Sequence, residues 1–497
     1  MSGGKPVGIL FWAFLAILVL APLPYGSVHL WSLSLLSLLV GALLAGWGLV
    51  ALLRPEACIV ALRHYGPPLA LFVPVLLWIG VQAWPGVPEA LAHPFWSEAR
   101  TALGGGPDRS FPGAFPGAMA GTVSIDPDAT LLVLMRLATY AGVFWLAMQL
   151  CADRHRASLA LWAVAVAGFG YAAYGLWAYL SAPGTILFSD KWAYQLSLTG
   201  TLVNRGHYAL YAGLGLVVSF AMMLRHARRS ASGAFDGTAR FFQAMEKLRL
   251  PVFLLLANCG IIGTALLLTE SRGGLAFTAV ALSAVALLIT GSGRGRRRSG
   301  FAVIIGLFAG GIVLFTVSGD GFLRRLVAPD GSGGNRSDVY MLAVDAIAAA
   351  PLTGHGAGSF PVLFNLFRDP AFPAISSVYT EAHNVYLEFA AETGIVAAAL
   401  YFAALVYIAA TCFAATRRQR RHIVFPIVGC AAAILAGLHS LVDFGTQIPG
   451  VAVTLAALMG VGFGRSQRAD KVDREADRRA DGTARPRRGR TDQSGVR

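Results

Sequence analysis

Residues 250–291 read LPVFLLLANCGIIGTALLLTESRGGLAFTAVALSAVALLITG, two apolar runs with a short polar break between them. Each run has about 20 residues, the length at which an α-helix crosses the hydrocarbon core of a bilayer. Only Ser271 and Arg272 separate the runs. The pattern therefore predicts two membrane-spanning helices in a tight hairpin, with Glu270 and Arg272 at its tip.

Similar apolar runs recur along the whole chain. Of its 497 residues, 56% are hydrophobic and 13% are charged, which is about half the charged share of an ordinary soluble domain. The runs predict twelve spans, at residues 7–24, 30–53, 67–84, 130–150, 158–181, 207–225, 250–270, 273–291, 300–318, 394–415, 423–441 and 448–464. The sequence thus predicts an all-α, polytopic membrane protein with one large loop, residues 319–393, between spans nine and ten.

Arginine and lysine indicate the orientation of the spans, because cytoplasmic loops are enriched in them. The connections after even-numbered spans carry Arg63, Arg154, Arg228, Arg297 and Arg418, among other basic residues. Those loops and both termini are therefore predicted to be cytoplasmic. The longer connections 85–129, 182–206 and 319–393 belong on the opposite side. The net charge of +14 is mostly this topology signal, with contact to anionic lipid as a secondary effect, and nucleic-acid binding is not expected.

The chain divides into two regions by composition. Residues 1–465 form the predicted transmembrane domain, whereas residues 466–497 mix arginine and aspartate with little apolar content. Such a tail is predicted to be disordered and cytoplasmic. The five cysteines lie in apolar runs or at their ends, so we expect no disulfide, and their spacing predicts no metal site.

Two arginines lie on the non-cytoplasmic side, where basic residues are scarce. Arg205 belongs to the segment Asn204–Tyr208, which also contains His207, and Arg272 lies at the hairpin tip. Two interpretations stay open for each arginine. It can snorkel to the lipid headgroups, or it can bind the oxygens of a phosphate with its planar guanidinium.

The large loop contains a third arginine, Arg336, and the glycine-rich stretch 351–360, PLTGHGAGSF. Arg336 fits a phosphate ligand and a loop salt-bridge partner equally well. The glycine stretch lacks the Lys-Ser/Thr ending of a phosphate loop. We therefore interpret it as a turn that fixes the geometry of the loop.

The end of the loop, residues 381–394, reads EAHNVYLEFAAETG. Few helix breakers follow, so the sequence predicts one helix from His383 to about Cys412, on which His383 and Gly394 share a face. At the start of a helix a neutral imidazole is favoured, the form that can accept a proton. A purely structural histidine is the alternative. His439 and Asp443, four residues apart near the end of span eleven, are interpreted as a polar pair packed under the loop.

The segment His383-Asn384, followed by nine residues and Gly394, resembles the His-[Asn/Ser/Gln]-x9-Gly-x-x-[Gly/Thr/Tyr] signature of the O-antigen ligase family. The last position departs from the signature, because it is Ala397. Arg205 in Asn-Arg-Gly-His and Arg272 in Ser-Arg-Gly-Gly match the two arginines of that family in context and topology. The resemblance covers most of residues 200–460. It does not separate ligases from Wzy-type polysaccharide polymerases or from protein O-oligosaccharyltransferases.

The resemblance implies transfer of a glycan from undecaprenyl diphosphate to an acceptor hydroxyl at the periplasmic face of a bacterial inner membrane, with inversion of the anomeric centre. The acceptor would be lipid A-core or a growing polysaccharide. The donor is already activated, so no cofactor or metal is implied. The implied roles are diphosphate binding by Arg205, Arg272 and Arg336, and base or acceptor positioning by His383. Asn384, Gly394, Glu381 and His207 are candidate supporting residues.

Two further expectations concern the loop and the rival classes. Four loop aromatics are expected to stack on sugars: Phe360, Phe364, Phe367 and Tyr379. Twelve spans also fit a transporter or a flippase for lipid-linked glycans. Carriers, however, place polar groups near the bilayer midplane, whereas these spans are largely uncharged, with Arg136 as the exception.

Overall fold

The computed structural model describes residues 5–54, 65–102, 121–230, 250–290, 336–368, 379–419 and 423–483. Within these ranges the regular secondary structure is helical apart from one antiparallel ribbon of β1 (Thr185–Ile186) and β2 (Ser189–Asp190). The helices are α1 (Lys5–Leu20), α2 (Leu30–Leu53), α3 (Gly66–Gln82), α4 (Pro94–Ala102), α5 (Pro127–Leu150), α6 (Arg154–Ser181), α7 (Arg205–Ser230), α8 (Leu250–Leu268), α9 (Arg272–Thr290), α10 (Arg336–Ala349), α11 (Phe360–Phe367), α12 (Val385–Thr393), α13 (Ile395–Arg418), α14 (Val424–His439) and α15 (Pro449–Thr483).

Most of the predicted spans correspond to helices. Seven helices are long and apolar enough to cross a membrane, and α1, α3 and α14 are shorter apolar helices. The start of α15 coincides with the predicted span 448–464. The predicted span 300–318 lies outside the described residues. The all-helical prediction is therefore confirmed, while the count of twelve spans and the side on which the large loop lies stay predictions.

Helix α7 occupies the centre of the bundle. In its most apolar window, 89% of the residues are buried, and it packs against α6, α8, α9 and α14. Glycines allow the close crossing with α6, since a β-carbon on Gly215 would lie 3.4 Å from the Cα atom of Gly168. At the periphery, large apolar side chains such as Leu38, Leu52 and Val406 are exposed. Such apolar outer faces are expected where lipid is the solvent.

Four short helices, α4, α10, α11 and α12, pack together and are called the cap below. Phe360 and Phe364 are buried there against Val339 and Leu342. The expectation that these two phenylalanines stack on sugars is therefore wrong, because their rings fill the small apolar core of the cap. Phe367 and Tyr379 are partly buried against the same cluster.

The glycine-rich stretch is a turn, as the sequence predicts. Gly354, Gly356 and Gly358 all adopt positive φ angles, which glycine reaches without strain. The turn runs along the end of α12, where the backbone N–H of Gly356 donates to the carbonyl of Glu392 at 2.8 Å. The turn thus holds the segment after α10 against the end of α12.

The prediction of one continuous helix from His383 to Cys412 is wrong. Gly394 has a φ of +84° and ends α12, and α13 begins at the next residue. His383 precedes α12 and itself has a φ of +55°. Asn384 caps α12, because its side-chain oxygen accepts from the N–H groups of Tyr386 and Leu387. An asparagine that satisfies these free N–H groups begins a helix rather than continuing one.

The last helix extends into the tail that was expected to be disordered. Helix α15 continues to Thr483, and residues 484–497 lie outside the described residues. The alanine, arginine and glutamate residues of this segment favour helix, and the disorder and cytoplasmic location of the tail stay predictions.

Candidate active site

Two central helices begin at the same place, and each begins with an arginine. Helix α7 starts at Arg205 and α9 at Arg272. The side-chain oxygen of Asn204 accepts from the N–H of Gly206 at 2.7 Å, and that of Ser271 accepts from the N–H of Gly274 at 3.2 Å. The positive ends of two helix dipoles therefore meet at one point.

A cavity of about 190 Å³ opens where these helices begin. It is lined by Tyr194, Asn204, Arg205, Gly206, Glu270, Ser271, Arg272, Gly273, His383, His439, Val442 and Asp443. Three of the residues singled out in the sequence, Arg205, Arg272 and His383, are thereby brought together from distant parts of the chain. We call this the first cavity.

The two arginines differ in their surroundings. Nη1 of Arg205 lies 3.8 Å from Oε2 of Glu270, and its guanidinium carbon lies 5.4 Å from the centre of the Tyr194 ring. The Arg205 side chain is 22% exposed. The Arg272 side chain is exposed at the rim of the first cavity. Two guanidinium groups and two helix N-termini make the cavity suited to a ligand with several negative charges.

His383 enters the first cavity beside a carboxylate. Its Nδ1 lies 3.6 Å from Oδ1 of Asp443, and Nε2 of His207 lies 3.4 Å from the same oxygen. The ring of Phe444 is in edge contact with both imidazoles, at centroid distances of 4.3 Å for His207 and 5.1 Å for His383. Two histidines from different helical segments thus converge on one carboxylate.

The charge of Asp443 is stabilised by its surroundings. Burial alone raises the pKa of this carboxyl, but the neighbouring His207, His383 and His439 outweigh burial and bring the pKa well below its ordinary value. The carboxylate also lies so close to the start of α7 that a β-carbon on Gly206 would collide with it. Asp443 is therefore an anion next to His383, and it favours the imidazole tautomer with the proton on Nδ1.

The other predicted residues lie outside the first cavity. Asn384 caps α12, and a β-carbon on Gly394 would collide with the carbonyl of Leu352, so both have structural positions. Glu381 faces a second cavity on the opposite side of the His383 segment. His207 is buried behind Asp443. Arg336 begins α10, but its side chain lies outside the described residues.

Sequence reasoning missed the main role of Asp443. The sequence suggested a packed pair of His439 and Asp443 on one helix face, but α14 ends at His439, and Asp443 lies in the following turn. Asp443 still interacts with His439, whose carbonyl accepts from its N–H at 3.0 Å, but its carboxylate also lies next to His383 and His207. Its position outside a span, directly after a helix that carries a histidine, was the only local signal. Glu270 was noted at the hairpin tip but not as the partner of Arg205.

In the described part of the chain, no group of three or more histidine, cysteine, aspartate or glutamate side chains has the arrangement of a metal site. The ligand-binding features of the first cavity are its two guanidinium groups, its imidazole and its backbone N–H groups.

The fold and the cavity define a class: a multi-pass helical membrane protein with a cavity lined by two arginines where two of its helices begin. Residues 257–402 match a family model described as O-antigen ligase. This segment is an O-antigen ligase family domain, and the resemblance noted in the sequence is confirmed. No curated protein matches the chain significantly. The match of this segment indicates a glycosyltransferase-type activity in polysaccharide biosynthesis.

The matched segment contains Arg272, His383 and Gly394 but ends before Asp443 and begins after Arg205. The structure nevertheless brings Arg205 and Asp443 into the same cavity as Arg272 and His383. The first cavity is thus built partly from the family segment and partly from helices outside it.

Proposed function

We propose that the chain transfers a glycan from a lipid diphosphate, undecaprenyl diphosphate, to an acceptor hydroxyl at the periplasmic face of the membrane. O-antigen ligation is the form of this reaction that we favour. The observation that carries the proposal is the convergence of Arg205, Arg272 and His383 on one cavity at two helix N-termini. The family segment supports the reaction class.

The first cavity suits the leaving group of such a reaction. As the bond between the anomeric carbon and the diphosphate breaks, its electron pair passes to a phosphate oxygen, where negative charge grows. Arg205, Arg272 and the N–H groups at the starts of α7 and α9 surround the cavity, so they can stabilise that charge where it develops. Glu270 and Tyr194 keep Arg205 oriented.

His383 suits the acceptor. The acceptor oxygen forms the new bond to the anomeric carbon, and its proton must leave at the same stage. With Nδ1 of His383 directed at Asp443, Nε2 is the nitrogen that can accept this proton or hold the hydroxyl in position. The carboxylate of Asp443 then stabilises the imidazolium that forms, as in other carboxylate–histidine pairs.

The test is deletion of the gene in its own host, followed by sizing of lipid-linked glycans and of surface polysaccharide. Long polymer retained on the carrier, together with bare lipid A-core, would establish ligation. Single repeat units on the carrier would establish polymerisation instead. The complementation set is wild type, His383→Ala and, as a control outside the first cavity, Arg368→Gln. Unchanged glycans in the deletion strain would refute the proposal.

A further inference from the structure

A second cavity, of about 180 Å³, lies behind the first. Glu381 and Val385 line the second cavity, whereas His383, between them in the chain, lines the first. In the same way, Asp443 lines the first cavity, and Gln447 lines the second. The two cavities therefore share a wall made of two short segments. The contact between His383 and Asp443 lies in that wall.

The second cavity has more carboxyl groups than arginines among its lining residues. Three glutamates line it, Glu381, Glu388 and Glu392, and Arg136 is the one cation among its lining residues. The rings of Phe389 and Tyr401 complete its walls. Carboxylates repel a diphosphate, but they accept hydrogen bonds from hydroxyl groups. Apolar walls with a few polar groups are typical of sites for neutral small molecules.

Two of the glutamates already accept hydrogen bonds within the protein. The carboxylate of Glu388 accepts from the N–H of Ala382 at 2.7 Å and from the amide of Gln447 at 2.9 Å. Oε1 of Glu392 accepts from the N–H of Phe360 at 3.1 Å. These contacts build the shared wall and the cap, so the charged side chains of the lining that are left for a ligand are Glu381 and Arg136.

Arg136 supplies the observation that points to a ligand. Its Nε atom is buried and has no hydrogen-bond partner among the described residues. A buried donor without a partner costs free energy, and such groups are uncommon in native proteins. Arg136 lines the second cavity, so a ligand hydroxyl oxygen there can accept from its guanidinium.

We infer that the second cavity binds a neutral sugar residue of the acceptor glycan. This inference rests on the proposed function. Hydroxyl groups of that residue donate to Glu381 and accept from Arg136, while its apolar face lies against Phe389 and Tyr401. Because residues of one short segment line both cavities, an acceptor held there places its next sugar beside the segment that carries His383.

The decisive measurement is the split of kinetic constants in the full-length protein in lipid nanodiscs. Transfer is followed from a defined lipid-diphosphate-linked glycan to lipid A-core. Arg136→Gln and Glu381→Gln are expected to raise KM for the acceptor at least tenfold and to leave KM for the donor within twofold. The matched control Arg368→Gln, on an exposed arginine, should change neither constant. An unchanged acceptor KM in Glu381→Gln, or an equal rise of both constants, would overturn the inference.

Binding without a donor separates this inference from the proposed function. The probe is the oligosaccharide released by mild acid from the host's lipopolysaccharide, measured by equilibrium dialysis. Binding lost in Glu381→Gln and Arg136→Gln but kept in Arg272→Ala would support the second cavity even if no transfer were observed. If the wild type transfers glycan but all variants bind the oligosaccharide equally, or none binds it, the second cavity is not the acceptor site. The proposed function would then still stand. A thermal unfolding curve identifies a variant that fails to fold. If Arg136→Gln fails to fold, the result for Glu381→Gln, at the edge of the second cavity, decides the test.

Discussion

Nδ1 of His383 lies 3.6 Å from Oδ1 of Asp443, although the two residues come from different segments on either side of helices α12, α13 and α14. The same oxygen lies 3.4 Å from Nε2 of His207 on α7. A single carboxylate thus ties the segment before α12 to the start of the central helix. This arrangement orients His383 and also limits its movement, so function and local rigidity depend on the same contacts.

The first prediction concerns that pair. His383→Ala should abolish transfer, because it removes the imidazole that takes the proton of the acceptor hydroxyl in the proposed mechanism. Asp443→Asn should lower kcat by about 10²-fold or more, since an amide no longer favours one tautomer or stabilises the imidazolium. Both variants should be expressed and should unfold thermally like the wild type. Full activity in His383→Ala would remove this residue from the mechanism.

The second prediction separates the two interpretations of Arg272. If it stabilises the diphosphate, Arg272→Ala should lose about 3 kcal/mol of transition-state stabilisation, a rate loss on the order of 10²-fold. Arg272→Lys should recover only part of this loss, because lysine lacks the planar fork. The rate is measured at saturating donor, with Arg368→Gln as the charge-loss control. A change in rate below about twofold would instead identify Arg272 as an anchor to the lipid headgroups with little role in catalysis.

The third prediction assigns Glu388 a positioning function. Its carboxylate joins Ala382, directly before His383, to Gln447, in the turn after Asp443. Glu388→Leu leaves both donors without an acceptor, a cost of about 1–3 kcal/mol for each buried group. This variant should lower kcat at least tenfold.

Glu388→Gln distinguishes positioning from ionic chemistry. A glutamine oxygen can still accept from the N–H of Ala382, and its NH₂ can donate to the amide oxygen of a rotated Gln447. Activity should therefore recover to within a few-fold of the wild type. Burial, together with Glu392, raises the pKa of Glu388 well above its ordinary value, which fits a position that tolerates a neutral side chain. Equal loss in the glutamine and leucine variants would show that the negative charge itself is required.

Local patterns were sufficient for the helices and for part of the first cavity. The apolar runs located α2, α5 and α13 because a membrane span is specified by a continuous stretch of residues. Arg205, Arg272 and His383 were identified because each lies in a short recognisable motif. These features depend on neighbours in the chain and need no knowledge of tertiary contacts.

The features that local patterns missed depend on distant contacts. The helix breaks at Gly394, which packs against the carbonyl of Leu352, where a β-carbon would collide. Leu352 is far away in the sequence. The position of Asp443 depends on His207 and His383. The sequence suggested that Phe360 stacks on sugars, but its ring is buried in the cap. No periodicity in the sequence contains such information.

The last prediction concerns the pH dependence of the cap. The N–H of Phe95 donates to Nδ1 of His93, so a neutral His93 must carry its proton on Nε2. That proton is donated to Nδ1 of His355 at 2.8 Å, and Nε2–H of His355 then donates to the carbonyl of Ala346 at 2.9 Å. This chain of hydrogen bonds joins the start of α4 to α10, and both imidazoles must be neutral to complete it.

Burial, and then the neighbouring His355, lowers the pKa of His93 to about 4, and burial lowers the pKa of His355 as well. The unfolded state therefore binds more protons than the folded cap between about pH 6.5 and pH 4. The stability of the cap should be complete above this window and should fall as the pH decreases through it, by about 1–2 kcal/mol once partial solvent exposure of His93 is discounted.

Amide hydrogen exchange in α4 and α10 at pH 7 and pH 4.5 measures this loss. His93→Asn should have lower protection at pH 7 and a flatter response to acid, because it has no imidazole to protonate. An acid response as steep as that of the wild type would mean that other groups, such as the buried glutamates of α12, control the cap.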